Sequence, residues 1–159
     1  MTYCLVVVDM QTGFESARGR KIIQRVKGLV AQAKRDEAEI VVLEYSGHGS
    51  TVQSILDLVN NYHKSRVAVK HRDDGSEHVN RVTAGLRFDS FVLCGVNTSA
   101  CVKHTALGLR GIFPAKDIKI KLKACNQPTD WYEKMNWTRV DNIRKELDGH
   151  NITLIKEWI

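Results

Sequence analysis

Short apolar runs alternate along the chain with longer stretches in which apolar residues recur every three or four positions. The short runs read as strands at 3–8, 39–45, 66–70, 90–94, 117–123 and 152–156. The longer stretches read as helices. One covers 18–36, with Ile22, Ile23, Val26, Val30 and Ala33 at helical spacing, and a second follows Ser50 with Val52, Ile55, Leu56 and Val59 inward. A short helix over 76–85, one over 99–109 carrying Val102, Ala106 and Leu109, and one over 130–147 complete the set. Leu5-Val6-Val7-Val8 is apolar at every position rather than at every second one, as expected of a strand covered on both faces. Regular alternation of strand and helix predicts an α/β fold. We expect a Rossmann-like three-layer sandwich: a mainly parallel six-stranded sheet, right-handed crossovers and helices on both faces.

Length supports one domain over 1–159, since a chain of this size buries roughly 70% of the surface it would expose unfolded. The two prolines (Pro114 and Pro128) and the absence of a Ser/Gly-rich linker or internal repeat argue against a hidden boundary. The apolar stretch Tyr3 to Val8 is too short for a membrane span or signal peptide and has no basic residues before it, so a cytoplasmic location away from membranes is expected. Cys4 and Cys94 fall inside strands, no Cys-x-x-Cys occurs, and these thiols, with Cys125, read as structural.

A net charge of +6 raises nucleic acid as a partner, but the basic residues are spread along helices and one strand without an aromatic stacking platform, so none is expected. Lys116, Lys119, Lys121 and Lys123 interleave with Ile118, Ile120 and Leu122 and read as a charge-protected edge strand.

Three strand ends carry reactive groups: Asp9 after the first strand, Lys70 at the end of the third, and Cys101 beyond the Gly95 break after the fourth. Ligands in open α/β sheets bind outside the carboxyl ends of the strands, so these groups share one crevice if their strands are neighbours. Cys101 falls in the first turn of the 99–109 helix, capped by Thr98 or Ser99, where unpaired N–H groups and the dipole favour thiolate over thiol. Gln11 is placed to brace the Asp9 loop. Phe14, Tyr45 and Trp131 are candidate pocket walls that would contact substrate.

Asp9, Gln11, Gly13 and Phe14, then Lys70, then Gly95, Thr98, Cys101 and Val102 resemble, in order and spacing, the motifs of the isochorismatase-like cysteine hydrolase superfamily, which includes nicotinamidase-related amidohydrolases. The resemblance spans roughly 3–125 and implies strand order three-two-one-four-five-six. It also implies Cys101 as nucleophile, Asp9 as proton carrier and Lys70 as the cation holding Asp9. The oxyanion would be met by the backbone N–H groups of Asn97 and Cys101, the former aimed by a cis peptide after Val96, and Asn97 would contact substrate. Where relatives often carry an acidic residue before the alanine closing the fifth strand, Lys123 precedes Ala124 here.

Nicotinamidases of this superfamily hold a divalent ion with an Asp-x-His pair and a further histidine. This chain has Glu44-Tyr45-Ser46-Gly47-His48 after the second strand and no Asp-x-His anywhere, while His71 and His78 lack a third ligand at a recognisable spacing. No metal and no other cofactor are expected. The expected activity is cysteine-dependent hydrolysis of a small amide or related C–N substrate through a thioester. A non-enzymatic binding protein and an isochorismatase-type vinyl-ether hydrolase are the alternatives. The partners expected are a small-molecule substrate and further copies of the chain in a dimer or tetramer, because the short loop after Tyr45 leaves little to cover the strand ends.

Overall fold

The structure, a computed structural model, describes residues 2–128 and 138–156. Its strands are β1 (Tyr3–Val8), β2 (Glu39–Tyr45), β3 (Ser65–Lys70), β4 (Ser90–Val96), β5 (Asp117–Asn126) and β6 (Thr153–Ile155). They form one parallel sheet in the order β3-β2-β1-β4-β5-β6, the order implied by the resemblance. The helices are α1 (Arg20–Arg35), α2 (Gln53–Val59), α3 (Ser76–Val82), α4 (Lys103–Ile112) and α5 (Thr138–Gly149).

Successive strand residues point to opposite faces, so a continuous apolar run supplies two cores at once. Cys4, Val6 and Val8, with Val41, Leu43, Phe91 and Leu93, pack against Val79 of α3, Ala106 and Leu109 of α4 and Leu147 of α5. Leu5 and Val7, with Ile40, Val42, Cys94 and Val96, pack against Ile22, Val26, Leu29, Val30 and Ala33 of α1 and Ile55 and Val59 of α2. Among the described residues no helix is long and apolar enough to cross a membrane.

The chain moves outward from β1 through β2 to β3, then crosses back to lay β4 on the other side of β1. That reversal opens a crevice between the carboxyl ends of β1 and β4, where Asp9 and Cys101 stand. β3 is not a neighbour of β1. It is the edge strand, and Lys70 pairs in register with Tyr45 of β2, so its side chain must cross the end of β2 to reach Asp9.

β5 is internal rather than an edge. β6 pairs with it from Lys119 to Lys121, and Lys119 and Lys121 turn toward the α1 side, where they line a cavity with Leu5 and Leu29. β5 also runs on to Asn126, because the register against β4 slips between Leu93 and Gly95 and takes up extra residues. The expected helix from Ser99 is divided: Thr98–Val102 form a π-turn, and regular α-helix begins at Lys103. Trp131 and the first part of the expected 130–147 helix lie outside the described residues.

Candidate active site

The left-handed backbone of Asp9 (φ 51°) is tolerated by Asp better than by most residues. Its N–H donates to Leu43 O at 3.0 Å, and its side chain, fully buried, turns across the crevice. Gln11 holds this turn to β2: its Nε2 donates to Tyr45 O (2.9 Å) and Gly49 O (2.8 Å), and its Oε1 accepts from Tyr45 N (2.7 Å).

Lys70 is likewise fully buried, with Nζ 3.0 Å from Asp9 Oδ2. The ammonium also donates to Arg72 O (3.0 Å) and Asp73 O (3.2 Å) and lies 4.0 Å from the Tyr45 ring centroid. The Lys70 stem is roofed by Gly75, where a Cβ would come within 2.8 Å of Lys70 Cδ and of Leu43 Cδ1. Taking two charges out of water costs several kcal/mol per ion, an expense that a well-packed apolar pair would avoid. Such a pair is poorly explained as a stabilising device and well explained as chemistry.

Gly95 (φ 114°) ends β4 pressed against β1: a Cβ there would meet Val8 O at 2.1 Å. The Val96–Asn97 peptide that follows is cis. Asn97 O accepts from Ala100 N (3.1 Å) and from Val102 N (3.2 Å), the second a five-residue span that opens the turn into its π form. Cys101 sits in this turn with 4% of its surface exposed. Its Sγ lies 3.7 Å from Asp73 Oδ1 on the solvent side, with Asp9 on the inner side.

At Cys101 burial works against the thiolate that its helix position favours. Burial, followed by the charge of Asp9, pushes its thiol above the ordinary cysteine range, against a smaller pull from Lys70. Burial also raises the Asp9 carboxyl, while Lys70 and the Cys101 thiol draw it down. One negative charge already faces Lys70, and a second in the same space would be uncompensated. Beyond the Lys70 ion pair, neither Asp9 carboxyl oxygen has a hydrogen-bond partner, and the Cys101 thiol donates instead to Asp73 Oδ1 at 3.7 Å.

The Asn97 side chain points away from the crevice, its Oδ1 accepting a short hydrogen bond from Ser16 Oγ. Ser16 O in turn accepts from Asn126 Nδ2 (3.0 Å). On the other flank Ser99 donates from both N (3.1 Å) and Oγ (2.7 Å) to Gln127 Oε1. The backbone segment bearing the Asn97 and Cys101 N–H groups is thereby tied to β5 and to the turn after Phe14.

Phe14 and Tyr45 form a half-buried wall completed by His48, which stacks on Phe14 (centroids 4.4 Å apart, planes at 11°) and meets Tyr45 edge-on at 4.8 Å. Beyond Cys101 a cavity of about 410 Å³ is lined by Tyr45, Arg72, Asp73, Asp74 and His104. Asp73, His48 and Ser16 were not singled out from sequence. Proximity to Lys70 was the available signal for Asp73 and proximity to Tyr45 for His48, whereas Ser16 lies 81 positions from Asn97 and offered none.

The donors near the β2 end do not fit a divalent ion. The Glu44 carboxylate accepts from Thr51 N (2.8 Å) and Thr51 Oγ1 (2.6 Å), and the His48 ring is held between aromatic partners. His71 and His78 approach as a pair, with ring centroids 6.5 Å apart, and no three His, Cys, Asp or Glu side chains converge among the described residues.

Solved structures share this architecture. The yeast nicotinamidase Pnc1p is 18% identical, with 98% of this chain and 100% of that one covered at a TM-score of 0.78. Zinc-bound pyrazinamidase of Pyrococcus horikoshii is 18% identical over 99% and 100% (TM-score 0.75). The MAR1 ribonuclease of Caenorhabditis elegans is 17% identical over 98% of this chain and 77% of that one (TM-score 0.78). One fold thus carries unlike activities, and function has to be argued from the site. No curated protein sequence matches the chain. The isochorismatase domain model matches residues 3–111, spanning all three reactive strand ends, and the chain belongs to the isochorismatase family.

Proposed function

We propose that this protein is a cysteine-dependent hydrolase of a small amide or related C–N substrate, working through a thioester. The observation that carries the reading is the fully buried Lys70–Asp9 pair, 3.0 Å apart, beside the Cys101 thiol. Nicotinamidase and pyrazinamidase act on amides, and their likeness to this chain supports the same bond class here.

As Cys101 Sγ attacks the carbonyl carbon, Asp9 takes the thiol proton, and Lys70 holds the carboxylate in place without itself giving up a proton. Negative charge moves from sulfur to the carbonyl oxygen, where the N–H groups of Asn97 and Cys101 would receive it. Asp9 then returns the proton to the departing nitrogen, the C–N bond breaks, and a thioester remains. Water attacks the thioester while giving a proton to Asp9; collapse releases the acid, and the sulfur recovers its proton. A thiol whose pKa is raised by burial suits this cycle, because its proton is lost most easily as the developing oxyanion takes up the charge.

Phe14, Tyr45 and His48 would form the wall against which substrate lies. The outer strand β3 leaves Val67 and Val69 about half exposed (51% and 46%), and we place a contact between copies of the chain there, in a homo-oligomer. The deciding experiment is a screen of small amides for release of ammonia, run beside Cys101→Ala. Ammonia release that persists in the variant, or none from the folded wild type, defeats the reading.

A further inference from the structure

The mouth of the site is polarised. Asp73 Oδ1 stands 3.7 Å from Cys101 Sγ, and Asp74 lines the same cavity. The nearest cations are engaged elsewhere: Lys70 faces Asp9 at 3.0 Å, and Arg72 turns outward to within 3.8 Å of Glu77. Asp73 has no ion-pair partner among the described residues. Behind the sulfur, Asp9 Oδ1 is buried without a hydrogen-bond donor of its own, so the nucleophile lies between an inner carboxylate and an outer one. The adjoining wall of Phe14, Tyr45 and His48 is electron-rich.

Resting on the amidase reading, we propose that the substrate carries a positive charge next to the scissile carbonyl, an α- or β-ammonium amide whose cation is held by Asp73. Reach sets the position. A carbonyl carbon poised for attack sits roughly 3 to 3.5 Å from sulfur. An ammonium in hydrogen-bond contact with a carboxylate that is itself 3.7 Å from that sulfur lies within two or three bonds of the carbon. A substrate carboxylate at the same place would meet Asp73 and Asp74, while Arg72 of the same lining turns outward toward Glu77. The net positive charge of the chain points the other way, but the cavity lining sets two carboxylates, Asp73 and Asp74, against one arginine, Arg72. Asp73 is thus a specificity-determining residue that touches substrate and takes no proton in the cycle.

Two measurements separate this inference from the amidase reading. The first follows Cys101 alkylation by iodoacetate, iodoacetamide and (2-bromoethyl)trimethylammonium, each rate normalised to that of the same reagent on free cysteine. The normalised rate should rise from anion to neutral to cation, with roughly fivefold between cation and neutral reagent, as for one unit charge about 4 Å away in a water-like medium. Asp73→Asn should bring that ratio close to one. If the variant does not fold, the wild-type order decides alone.

The second compares glycinamide and β-alaninamide with propionamide and malonamate by ammonia release. Preference for the two cationic amides, lost in Asp73→Asn, supports the inference. Preference for propionamide or malonamate overturns it and leaves the amidase reading standing. If no amide is hydrolysed but alkylation keeps the cationic order, the amidase reading falls and the polarity of the mouth stands. An alkylation order that is flat or favours iodoacetate overturns the inference whatever the amides do.

Discussion

Two cavities of nearly equal size among the described residues differ in almost everything else. The one beyond the strand ends, about 410 Å³, is rimmed by Tyr45, Arg72, Asp73, Asp74 and His104 and borders the proposed nucleophile Cys101 with a buried ion pair behind it. The other, about 450 Å³, lies under α1, floored by Leu5, Leu29, Val92 and Ile155 and edged by Tyr3, Gln32, Asp36, Lys119 and Lys121. Its polar groups are either satisfied locally, as Asp36 is by Tyr3 (2.8 Å) and Gln32 (2.8 Å), or stand at its border, as Lys119 and Lys121 do. The first holds groups whose proton affinities depend on one another; the second holds apolar surface with charges at its border. Volume does not distinguish an active site here, and convergence of buried polar groups does.

The sharpest way to break that contrast is to disable each cavity in turn. Cys101→Ala should reduce turnover to background, whereas Lys121→Ala should leave it within about twofold, because a surface substitution far from the chemistry changes little. Substantial loss in the second variant, with the fold intact by circular dichroism, would mean that the α1 cavity takes part in catalysis.

Next in size is Asp9→Asn, expected to lower kcat by roughly 10²- to 10⁴-fold through loss of the proton carrier. Cys101 alkylation should move in the opposite direction. With the Asp9 charge gone and Lys70 left facing the sulfur, the thiol loses one of the influences that raise its pKa and keeps the one that lowers it. The wild type should alkylate slowly near pH 7 and speed up as pH rises toward the raised pKa, while the variant should react faster at the same neutral pH. Parallel loss of turnover and alkylation would show instead that Asp9 shapes the pocket.

Lys70→Met tests whether the ion pair is chemistry or scaffold. Removing one partner of a buried pair typically costs about 3 to 5 kcal/mol, since the other charge is left uncompensated. Lys70 is a principal influence drawing the Asp9 carboxyl down, so without it the carboxyl rises further. A carboxyl whose folded pKa exceeds its unfolded one binds more protons when folded, and stability then falls as pH increases. The variant should therefore regain stability between pH 8 and pH 5 relative to wild type, measured by urea denaturation. A pH-independent deficit would point to lost packing of the lysine stem under Gly75.

Much of this was legible in the chain, for a physical reason. Strands buried on both faces, such as β1, cannot hide their pattern, so local reading locates the strand ends near which Asp9, Lys70 and Cys101 stand, and the resemblance supplies the strand order. What escaped depends on contacts between distant segments. Lys70 reaches Asp9 from an edge strand across β2, a geometry set by stem length rather than strand adjacency. The lysines of β5 suggest edge protection because their alternation is local information, whereas the pairing of Lys119 to Lys121 with β6 joins distant segments. The position of Cys101 in a helix is local information, while the carboxylates of Asp9 and Asp73, which also bear on its thiol, come from loops 92 and 28 positions away. Charge state was the least legible property of the site.

The smallest expected effect concerns the Tyr45 ring, and it asks which part of that side chain serves Lys70. The ring lies 4.0 Å from Nζ, and no described hydrogen bond involves the hydroxyl. A cation over an aromatic face contributes about 0.5 to 2 kcal/mol, the upper figure when desolvated, and Lys70 is fully buried. Tyr45→Phe should keep that contact and stay within about twofold of wild type in kcat/KM. Tyr45→Leu keeps bulk but loses the ring face, and it should lower kcat/KM by roughly threefold to thirtyfold on the conversion of 1.4 kcal/mol per tenfold. The loss should fall mainly on kcat if the ring steadies the Lys70–Asp9 pair, and mainly on KM if it serves as substrate wall. Equal deficits in Phe and Leu variants would place the contribution in the hydroxyl, and Lys70 would then be held by Asp9 and the two loop carbonyls without help from the ring.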